Sequence, residues 1–295
     1  MTDTLFNEYG PTDPLEIMAD AIATHSPIKT YILSSGGNDS MVLLDWASKH
    51  IEFDAVLHVN TGTGVTEGGV ALTSQFIRDY CKSKSYPFIE LHPPKSYEQV
   101  FIEEAIIDGL PGPGKHNIAY SRLKERPLRA FVQTVKTHWR DRVMFLTGIR
   151  ADESKIRMGY KSSVIDRTGS QVWVNPIYYW TNDEMRAYRA EHDLPQNPVA
   201  QHLHISGECL CGAFATDDEL AEIEFFFPET AERIKGWESA CRERGLTYAT
   251  WGQRRGEEEG TSRMCQQCVG QMTFDGEITQ DETRAIYRAY HEGSA

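Results

Sequence analysis

The feature that most constrains the fold of this chain is a short apolar segment, residues 28–34, that runs directly into Ser35-Gly36-Gly37-Asn38-Asp39-Ser40. The apolar segment predicts a buried strand, and the residues from Ser40 to His50 predict a helix. Together they form an anion site, because glycines let the backbone approach phosphate oxygens and a helix N-terminus presents unpaired N–H groups. The loop has neither the Walker A nor the Gly-x-Gly-x-x-Gly spacing. We therefore expect a phosphate-binding loop of another type.

The alternation of strands and helices continues along the chain. A first helix is expected to begin at Asp13-Pro14. Further strands are predicted at residues 53–60, 87–91, 142–147 and 171–174, and further helices at residues 67–85, 96–107, 121–139 and 181–192. This order predicts an α/β fold with a mostly parallel sheet and helices on both faces. Such sheets bind ligands at the C-terminal ends of their strands, where the glycine loop, Asn60-Thr61-Gly62 and Thr147-Gly148-Ile149-Arg150 all lie.

The character of the sequence changes after residue 194. We predict an α/β nucleotide-binding domain over residues 1–194 and a smaller, mainly helical, cysteine-containing region over residues 195–295. Helices are expected there at residues 228–244 and 280–290. Within the first domain, residues 108–117 contain two prolines and three glycines, and this loop is long enough to act as a lid or binding loop.

Composition and charge limit the classes of function. With 40% hydrophobic residues and no apolar run near the ~20 residues that span a bilayer, the chain is expected to be cytoplasmic and not membrane-bound. The N-terminus also lacks the pattern of a secretion signal. A net charge of −13 argues against a uniformly basic nucleic-acid-binding surface. Two basic clusters could still form a local patch: Arg122, Lys124, Arg126 and Arg129, and Arg150, Lys155, Arg157 and Lys161.

The glycine loop at residues 35–40 resembles the Ser-Gly-Gly-x-Asp-Ser signature of the PP-loop ATP pyrophosphatases. Three further motifs resemble the branch that contains the phosphoadenylylsulfate reductases and the ATP pyrophosphatases of DNA phosphorothioation. These are Leu123-Lys124-x-x-Pro127-Leu128, Thr147-Gly148-Ile149-Arg150-x-Asp152-Glu153-Ser154-x-x-Arg157 and Asn175-Pro176-Ile177-x-x-Trp180-Thr181. The matches follow the order of that family from about residue 28 to residue 212. The resemblance implies a fold of the adenine nucleotide alpha hydrolase type.

The resemblance also implies roles for individual residues. The nucleotide-binding set is Ser35, Gly36, Gly37, Asn38, Asp39, Ser40, Thr61, Gly62, Gly148 and Arg150, and the catalytic set is Asp39, Lys124, Arg150 and Arg157. In this scheme the loop holds the pyrophosphate end of ATP, Asp39 helps to place Mg²⁺, and Lys124 and the arginines reach phosphate or sulfate oxygens. An arginine suits this role because its planar fork pairs two oxygens at once. Asn60 stands where the family often has an acidic residue, so the contact to the ribose stays open.

Four of the six cysteines form two tight pairs, Cys209/Cys211 and Cys265/Cys268. Such pairs indicate a metal site, because structural disulfides are rare in the cytoplasm. Zinc and a [4Fe–4S] cluster both accept four cysteines, and the spacing does not decide between them. The resemblance favours the iron–sulfur cluster, with Zn²⁺ as the alternative. His202 and His204 lie just upstream and could replace a ligand.

The two remaining cysteines lie in predicted helices. Cys81 lies in a predicted helix with an apolar face, which indicates a core position. Cys241 is followed closely by Arg242 and Arg244, which could lower the pKa of its thiol. A redox or sulfur-carrying role for Cys241 therefore stays open beside a structural one.

Three functions are compatible with this sequence. The first is an ATP pyrophosphatase that cleaves ATP at the α-phosphate to activate an acceptor for sulfur incorporation, as in DNA phosphorothioation. Its expected partners are a sulfur donor such as a cysteine desulfurase, a nucleic-acid acceptor and a second copy of the chain. The second is a sulfonucleotide reductase, for which the resemblance implies a nucleophilic cysteine on the C-terminal tail. Residues 269–295 contain none, which favours the first function. The third is a non-catalytic nucleotide-sensing subunit.

Overall fold

The predicted alternation of strands and helices is present in the structure, a computed structural model that describes residues 11–151, 163–216 and 218–254. The strands are β1 (Lys29–Leu33), β2 (Ala55–Val59), β3 (Thr66–Glu67), β4 (Val70–Ala71), β5 (Phe88–Leu91), β6 (Val143–Leu146), β7 (Ile165–Thr168) and β8 (Gln171–Val174). The α-helices are α1 (Pro14–His25), α2 (Asn38–His50), α3 (Leu72–Lys84), α4 (His116–Tyr120), α5 (Arg126–Val135), α6 (Asn182–Glu191), α7 (Pro198–Leu203), α8 (Glu219–Phe226) and α9 (Pro228–Glu243). Two π-helical turns lie at Gln99–Glu103 and Ser121–Glu125.

Six of these strands form one sheet in the order β5-β2-β1-β6-β8-β7. Neighbouring strands are parallel from β5 to β8, and β7 pairs antiparallel with β8 at the edge. The chain moves outward from β1 to β2 and β5, then returns to the other side of β1 as β6. The order therefore reverses between β1 and β6, and a crevice opens beyond the C-terminal ends of these two strands.

Each face of the sheet has its own hydrophobic core because side chains alternate along the strands. Ile32, Val56 and Met144 pack with α1, α2, α3 and α6 on one face. Tyr31 and Leu57 point to the opposite face, where they pack with α5. The predicted mostly parallel α/β fold with helices on both faces is confirmed. Cys81 is fully buried in the first of these cores, as predicted.

A further hydrophobic core joins the segment after residue 194 to earlier parts of the chain. Val65, Tyr97 and Phe101 pack in it with Ile234 and Trp237 of α9. The described residues belong to one compact unit that ends at Arg254. The predicted division after residue 194 stays a prediction, and the helix expected at residues 280–290 lies outside the described residues.

Two helices begin at the caps that the sequence indicates. The Asp13 carboxylate accepts hydrogen bonds from the backbone N–H of Leu15 at 2.9 Å and of Glu16 at 3.2 Å. Thr181 and Glu184 form a complete capping box at the start of α6. Both caps satisfy N–H groups that lack a partner within the helix.

Three predicted helices are shorter than expected, each for a local reason. The helix expected at residues 67–85 begins only at Leu72, because Gly68 and Gly69 have positive φ and form the turn between β3 and β4. The helix expected at residues 96–107 is reduced to a π-helical turn, and residue Ala105 has a φ of 46°. The helix expected at residues 121–139 is divided near Pro127, whose missing N–H removes a helical hydrogen bond, and it ends at Val135.

Other elements were not predicted at all. The sequence analysis missed the edge strand β7, the hairpin β3–β4, and the short helices α4, α7 and α8. The hairpin is stabilised by a residue far away in the sequence. The Glu229 carboxylate accepts hydrogen bonds from the backbone N–H of Gly68 at 2.6 Å and of Gly69 at 3.0 Å. In the described part of the chain, no helix is long and apolar enough to cross a membrane.

Candidate nucleotide-binding site

A cavity of about 470 Å³ lies beyond the C-terminal ends of β1, β2 and β6. Much of its wall comes from the glycine loop, the π-helical turn at Ser121–Glu125 with the preceding Tyr120, the segment after β6, and residues 204–206 with Glu208. Strands β1, β2 and β8 and helices α5 and α7 also contribute to the wall. The predicted residues on this wall are Ser35, Gly37, Asn38, Asp39, Ser40, Lys124 and Gly148. Residues from distant motifs therefore meet at the edge of the sheet where the strand pattern indicated a site.

The glycine loop turns the chain from β1 into α2. Gly36 has a φ of 72°, and an added Cβ there would lie 2.7 Å from Thr73, so both its conformation and its surroundings require glycine. The cap residue of α2 is Gly37, which has no side chain to pair with the first N–H groups of the helix. The Ser40 hydroxyl donates to the Gly37 carbonyl oxygen at 2.9 Å. The start of α2 thus presents its N–H groups to the cavity, as an anion site requires.

Gly148 brings the segment after β6 against the first turn of α2. A Cβ on Gly148 would lie 2.9 Å from the carbonyl carbon and oxygen of Asp39 and 3.1 Å from the Ser40 nitrogen. Only a residue without a side chain allows this approach, because ordinary contacts need more room. Gly148 therefore sets the position of the α2 N-terminus relative to the sheet.

Arg150 lies behind the glycine loop and does not line the cavity. It is 4% exposed, and its guanidinium donates to Asp39 Oδ2, Asn182 Oδ1 and the Trp180 carbonyl oxygen, each at 3.0 Å. The structure thus brings together Arg150 and Asp39, two predicted catalytic residues, as an ion pair. The predicted contact of Arg150 with phosphate stays a prediction, as does the role of Arg157, which lies outside the described residues.

Lys124 is the predicted cation that does reach the cavity wall. Its ammonium group is 2.7 Å from the Glu208 carboxylate, and the two side chains are 28% and 5% exposed. Burial lowers the pKa of Lys124, but the charges of Glu208 and Cys209 outweigh burial and raise it above its usual value. Lys124 is therefore a firmly charged group, paired with an acidic residue that the sequence analysis did not identify.

Thr61 and Gly62 do not line the cavity but support its edge. Thr61 is fully buried, and its hydroxyl donates to the Glu208 carbonyl oxygen at 2.9 Å. The Asn60 side chain accepts from the Gly62 N–H at 3.0 Å and donates to the Glu90 carboxylate at 2.8 Å. Position 60, where the resembling family often has an acidic residue, is thus an asparagine that contacts the carboxylate of Glu90 from β5.

Cys209 and Cys211 directly follow Glu208, a residue of the cavity wall, and their thiols are joined by a hydrogen bond. Both are free thiols. A hydrogen bond from Cys211 lowers the pKa of Cys209 to about 6, burial opposes this, and the Lys124 charge adds to the lowering. The pKa of Cys211 is raised because its proton is shared with Cys209. Two adjacent thiols of this kind suit a soft metal, while Cys265 and Cys268 lie outside the described residues.

Only two of the four predicted metal ligands, Cys209 and Cys211, lie within the described residues, so the metal site stays a prediction. Among residues 11–151, 163–216 and 218–254, no group of three or more histidine, cysteine, aspartate or glutamate side chains could hold a metal ion. His204 lines the cavity, and His202 stacks on Phe226 with ring centres 4.6 Å apart. Burial raises the pKa of Cys241, although Arg242 and Arg244 lower it as the sequence suggested.

Sequence reasoning named His204 only as a possible metal ligand and missed residues 205–208, a segment that lies over the glycine loop. The Ser206 carbonyl oxygen accepts from the Thr73 hydroxyl at 2.7 Å and from the Asn197 amide at 3.0 Å. These two bonds, from α3 and from the cap of α7, hold the segment in place. The only sequence signal for it is its proximity to Cys209, because its hydrogen-bond partners are distant in sequence.

The reversal of strand order, the glycine loop and the cavity define a nucleotide-binding α/β domain of the PP-loop class. The family model of the phosphoadenosine phosphosulfate reductase domain matches residues 29–206, more than half of the chain. The chain therefore belongs to the phosphoadenosine phosphosulfate reductase domain family.

Individual relatives are more distant. An adenosine 5'-phosphosulfate reductase of Deinococcus radiodurans is 27% identical over 200 residues, which cover 65% of this chain and 68% of the reductase. An uncharacterized 37.8 kDa protein of Escherichia phage 186 is 32% identical over 111 residues, which cover 36% of this chain and 33% of the phage protein. The chain thus spans only a third of the length of one of these relatives. A solved structure of phosphoadenylyl-sulfate reductase from Candida auris is 18% identical, with a TM-score of 0.45 over 64% of this chain and 84% of that one.

Proposed function

We propose that this protein cleaves ATP at the α-phosphate and releases pyrophosphate, in order to activate an acceptor for sulfur incorporation. The observation that carries the proposal is the start of α2, which has a glycine cap and faces a cavity that also contains Lys124. A pyrophosphate group suits this arrangement, because it can accept hydrogen bonds from the N–H groups at the start of α2, from the hydroxyls of Ser35 and Ser40 and from the Lys124 ammonium. The family match supports an adenine nucleotide as the ligand.

The proposed reaction needs positioning and charge neutralisation more than covalent help from the protein. An oxygen of the acceptor attacks the α-phosphorus, the bond to the bridging oxygen of the β-phosphate breaks, and pyrophosphate leaves with the electron pair. The loop N–H groups and Lys124 would balance the charge on the leaving group. Asp39, whose side chain is 26% exposed on the cavity wall, would help to hold Mg²⁺. Sulfur from a donor protein would then displace AMP from the adenylylated acceptor.

The cysteine pair that follows Glu208, with Cys209 close enough to Lys124 to feel its charge, supports a link to sulfur chemistry. In our proposal Cys209 and Cys211, together with Cys265 and Cys268, hold a [4Fe–4S] cluster, with Zn²⁺ as the alternative. A brown anaerobic preparation that absorbs near ~400 nm would support iron, whereas a colourless protein with stoichiometric zinc would reject it.

A second candidate function is sulfonucleotide reduction, which one observation favours. The pKa of about 6 makes Cys209 a thiolate at neutral pH, and the thiolate lies beside the charged Lys124. In this reaction the thiolate attacks the sulfate sulfur, a sulfur–sulfur bond forms and the nucleotide leaves; an external dithiol then releases sulfite and becomes a disulfide. The name of the Deinococcus radiodurans relative agrees with this candidate. A Cys209 that binds a metal would not be free for the attack, so this candidate and the proposed metal ligation by Cys209 exclude each other.

Product analysis distinguishes the two candidates. The full chain, purified without oxygen, is incubated with ATP and Mg²⁺, with and without DNA, and separately with adenylylsulfate or its 3'-phosphorylated form and a dithiol. We expect AMP and pyrophosphate from ATP, a loss of both in Asp39→Ala, and no loss in the control Asp183→Ala, whose side chain is 92% exposed. Sulfite from a sulfonucleotide, with ATP left intact, would refute the proposal. Binding of ATP without turnover of any nucleotide would indicate the sensing subunit.

A further inference from the structure

Arg189 on α6 lies beside the glycine loop, although none of the sequence motifs includes it. Its guanidinium donates a hydrogen bond to the side-chain oxygen of Asn38, the first residue of α2. Asn38 lines the cavity. The neighbouring Tyr188 donates to the buried Asp45 of α2 at 2.9 Å. Because this contact anchors α6 on α2, the guanidinium is held beside Asn38, although Arg189 itself does not line the cavity.

The two arginines near the loop differ in their remaining capacity to bind a ligand. Arg150 is buried and donates to three acceptors, one of which is the Asp39 carboxylate. Within the described residues, the Arg189 guanidinium has one hydrogen-bond acceptor, the neutral amide of Asn38. An arginine has five N–H donors, so most donors of Arg189 are available to a ligand.

The electrostatic surroundings of Arg189 also favour an anion. The side chain is half-buried, and burial lowers its pKa while the nearby Asp39 carboxylate opposes this. An arginine stays charged at neutral pH in any case. Arg189 is a partly desolvated cation with no direct carboxylate partner in the part of the chain that the structure describes, and it lies next to a helix start without a side-chain cap. Such a cation gains most from an anionic ligand.

We propose that Arg189 binds the pyrophosphate end of a nucleoside triphosphate at the glycine loop and selects ATP over adenylylsulfate. The inference rests on the proposed function, because it assumes that the ligand carries β- and γ-phosphates. Adenylylsulfate ends in a sulfate of lower charge, so an additional cation at the loop favours the triphosphate over the sulfonucleotide. Arg189 thereby contributes to ground-state binding, and its removal changes the nucleotide preference.

Calorimetric titration tests this inference on the full chain as isolated. The titrants are inorganic pyrophosphate, ATP, adenylylsulfate and AMP. In Arg189→Gln we expect the affinity for pyrophosphate and ATP to fall on the order of tenfold, as for the loss of one charge-assisted contact. The affinity for AMP should change less than about twofold, and Arg189→Lys should recover part of the loss, because a point charge is restored without the fork. The matched control is Arg186→Gln on the same helix, which is 77% exposed and should leave all four affinities unchanged.

Several results would overturn the inference. A wild-type protein that does not bind pyrophosphate, or an Arg189→Gln variant that binds it as well as the wild type, would do so. An equal loss for AMP and pyrophosphate would show that Arg189 only braces the loop through Asn38. The proposed function can fail separately. If the protein binds pyrophosphate through Arg189 but releases none from ATP, the inference about Arg189 holds and the proposed reaction is refuted. If the protein cleaves ATP but Arg189→Gln keeps the wild-type affinity for pyrophosphate, the proposed reaction is retained and the inference about Arg189 is lost.

Discussion

The ion pair between Lys124 and Glu208 allows a quantitative test of how the cavity wall is stabilised. The Lys124 ammonium is 2.7 Å from Glu208 Oε2, and the Glu208 side chain is only 5% exposed. The other carboxylate oxygen, Oε1, is buried without a hydrogen-bond partner among the described residues. The substitution Lys124→Met keeps the length of the side chain and leaves this carboxylate buried without its cation.

The expected loss of stability follows from the burial of the pair. Removing one partner of a buried ion pair costs about 3–5 kcal/mol, because an uncompensated charge stays in the interior. Lys124 is 28% exposed, so water can partly replace it, and we expect the lower end of the range, about 3 kcal/mol. Adding Glu208→Gln removes the unpaired charge, so the double variant should recover most of this loss.

Urea denaturation of the full chain, followed by tryptophan fluorescence without oxygen, measures both effects. The exposed pair between Lys29 and Asp54 provides a matched control, since Lys29→Met removes a surface ammonium and should change the midpoint little. Lys124→Met should also abolish the release of pyrophosphate from ATP. A Lys124→Met protein as stable as the wild type, or a double variant less stable than Lys124→Met, would refute this account of the pair.

Three further predictions concern the surroundings of the site. Gly148→Ala forces a methyl group against the first turn of α2. It should lower the free energy of unfolding by about 1–3 kcal/mol and weaken ATP binding measured by calorimetry. The control Gly236→Ala, whose new methyl group would meet no atom within 4 Å, should do neither. Tyr188→Phe removes a 2.9 Å hydrogen bond to the buried Asp45 and should lower the free energy of unfolding by about 1.5 kcal/mol, a value that an unchanged urea midpoint would contradict. Burial lowers the pKa of His58 below 6.5 in the folded protein, so the unfolded chain takes up the proton first and the free energy of unfolding should fall as pH drops below about 6.5. The urea midpoints of the wild type and of His58→Gln should therefore converge between pH 8 and pH 5.5. A difference between the two midpoints that stays constant with pH would refute this account.

The elements with a strong local pattern could be predicted from the sequence. The strands that became β1, β2 and β6 are apolar because both of their faces are buried, and their order implied a parallel sheet. The carboxyl ends of such strands share one edge, so the glycine loop and Gly148 could be expected to meet. The edge strand β7 was missed because it is short and mostly exposed, and therefore carries no hydrophobic pattern.

The side-chain partners in the site could not be predicted, because they join residues far apart in the chain. Glu208 and Lys124 are separated by 84 positions, and Arg189 and Asn38 by 151. Likewise, the sequence indicated arginines for the phosphates but not that Arg150 would be buried against Asp39. The net direction of the Cys241 pKa could not be predicted either, because the sequence showed two neighbouring arginines and not the burial that outweighs them.

The amino-acid sequence by itself determined the class of fold, the position of the glycine loop and the family, because these depend on local patterns: apolar periodicity, glycines at a turn and motifs in a given order. Only the tertiary structure decided which charges face the cavity. Long-range packing buries Arg150, pairs Lys124 with Glu208, holds Arg189 beside Asn38 and brings Cys209 within reach of the Lys124 charge. The physical reason is that the charge and availability of a polar side chain depend on its neighbours in space, which the order of residues alone does not state.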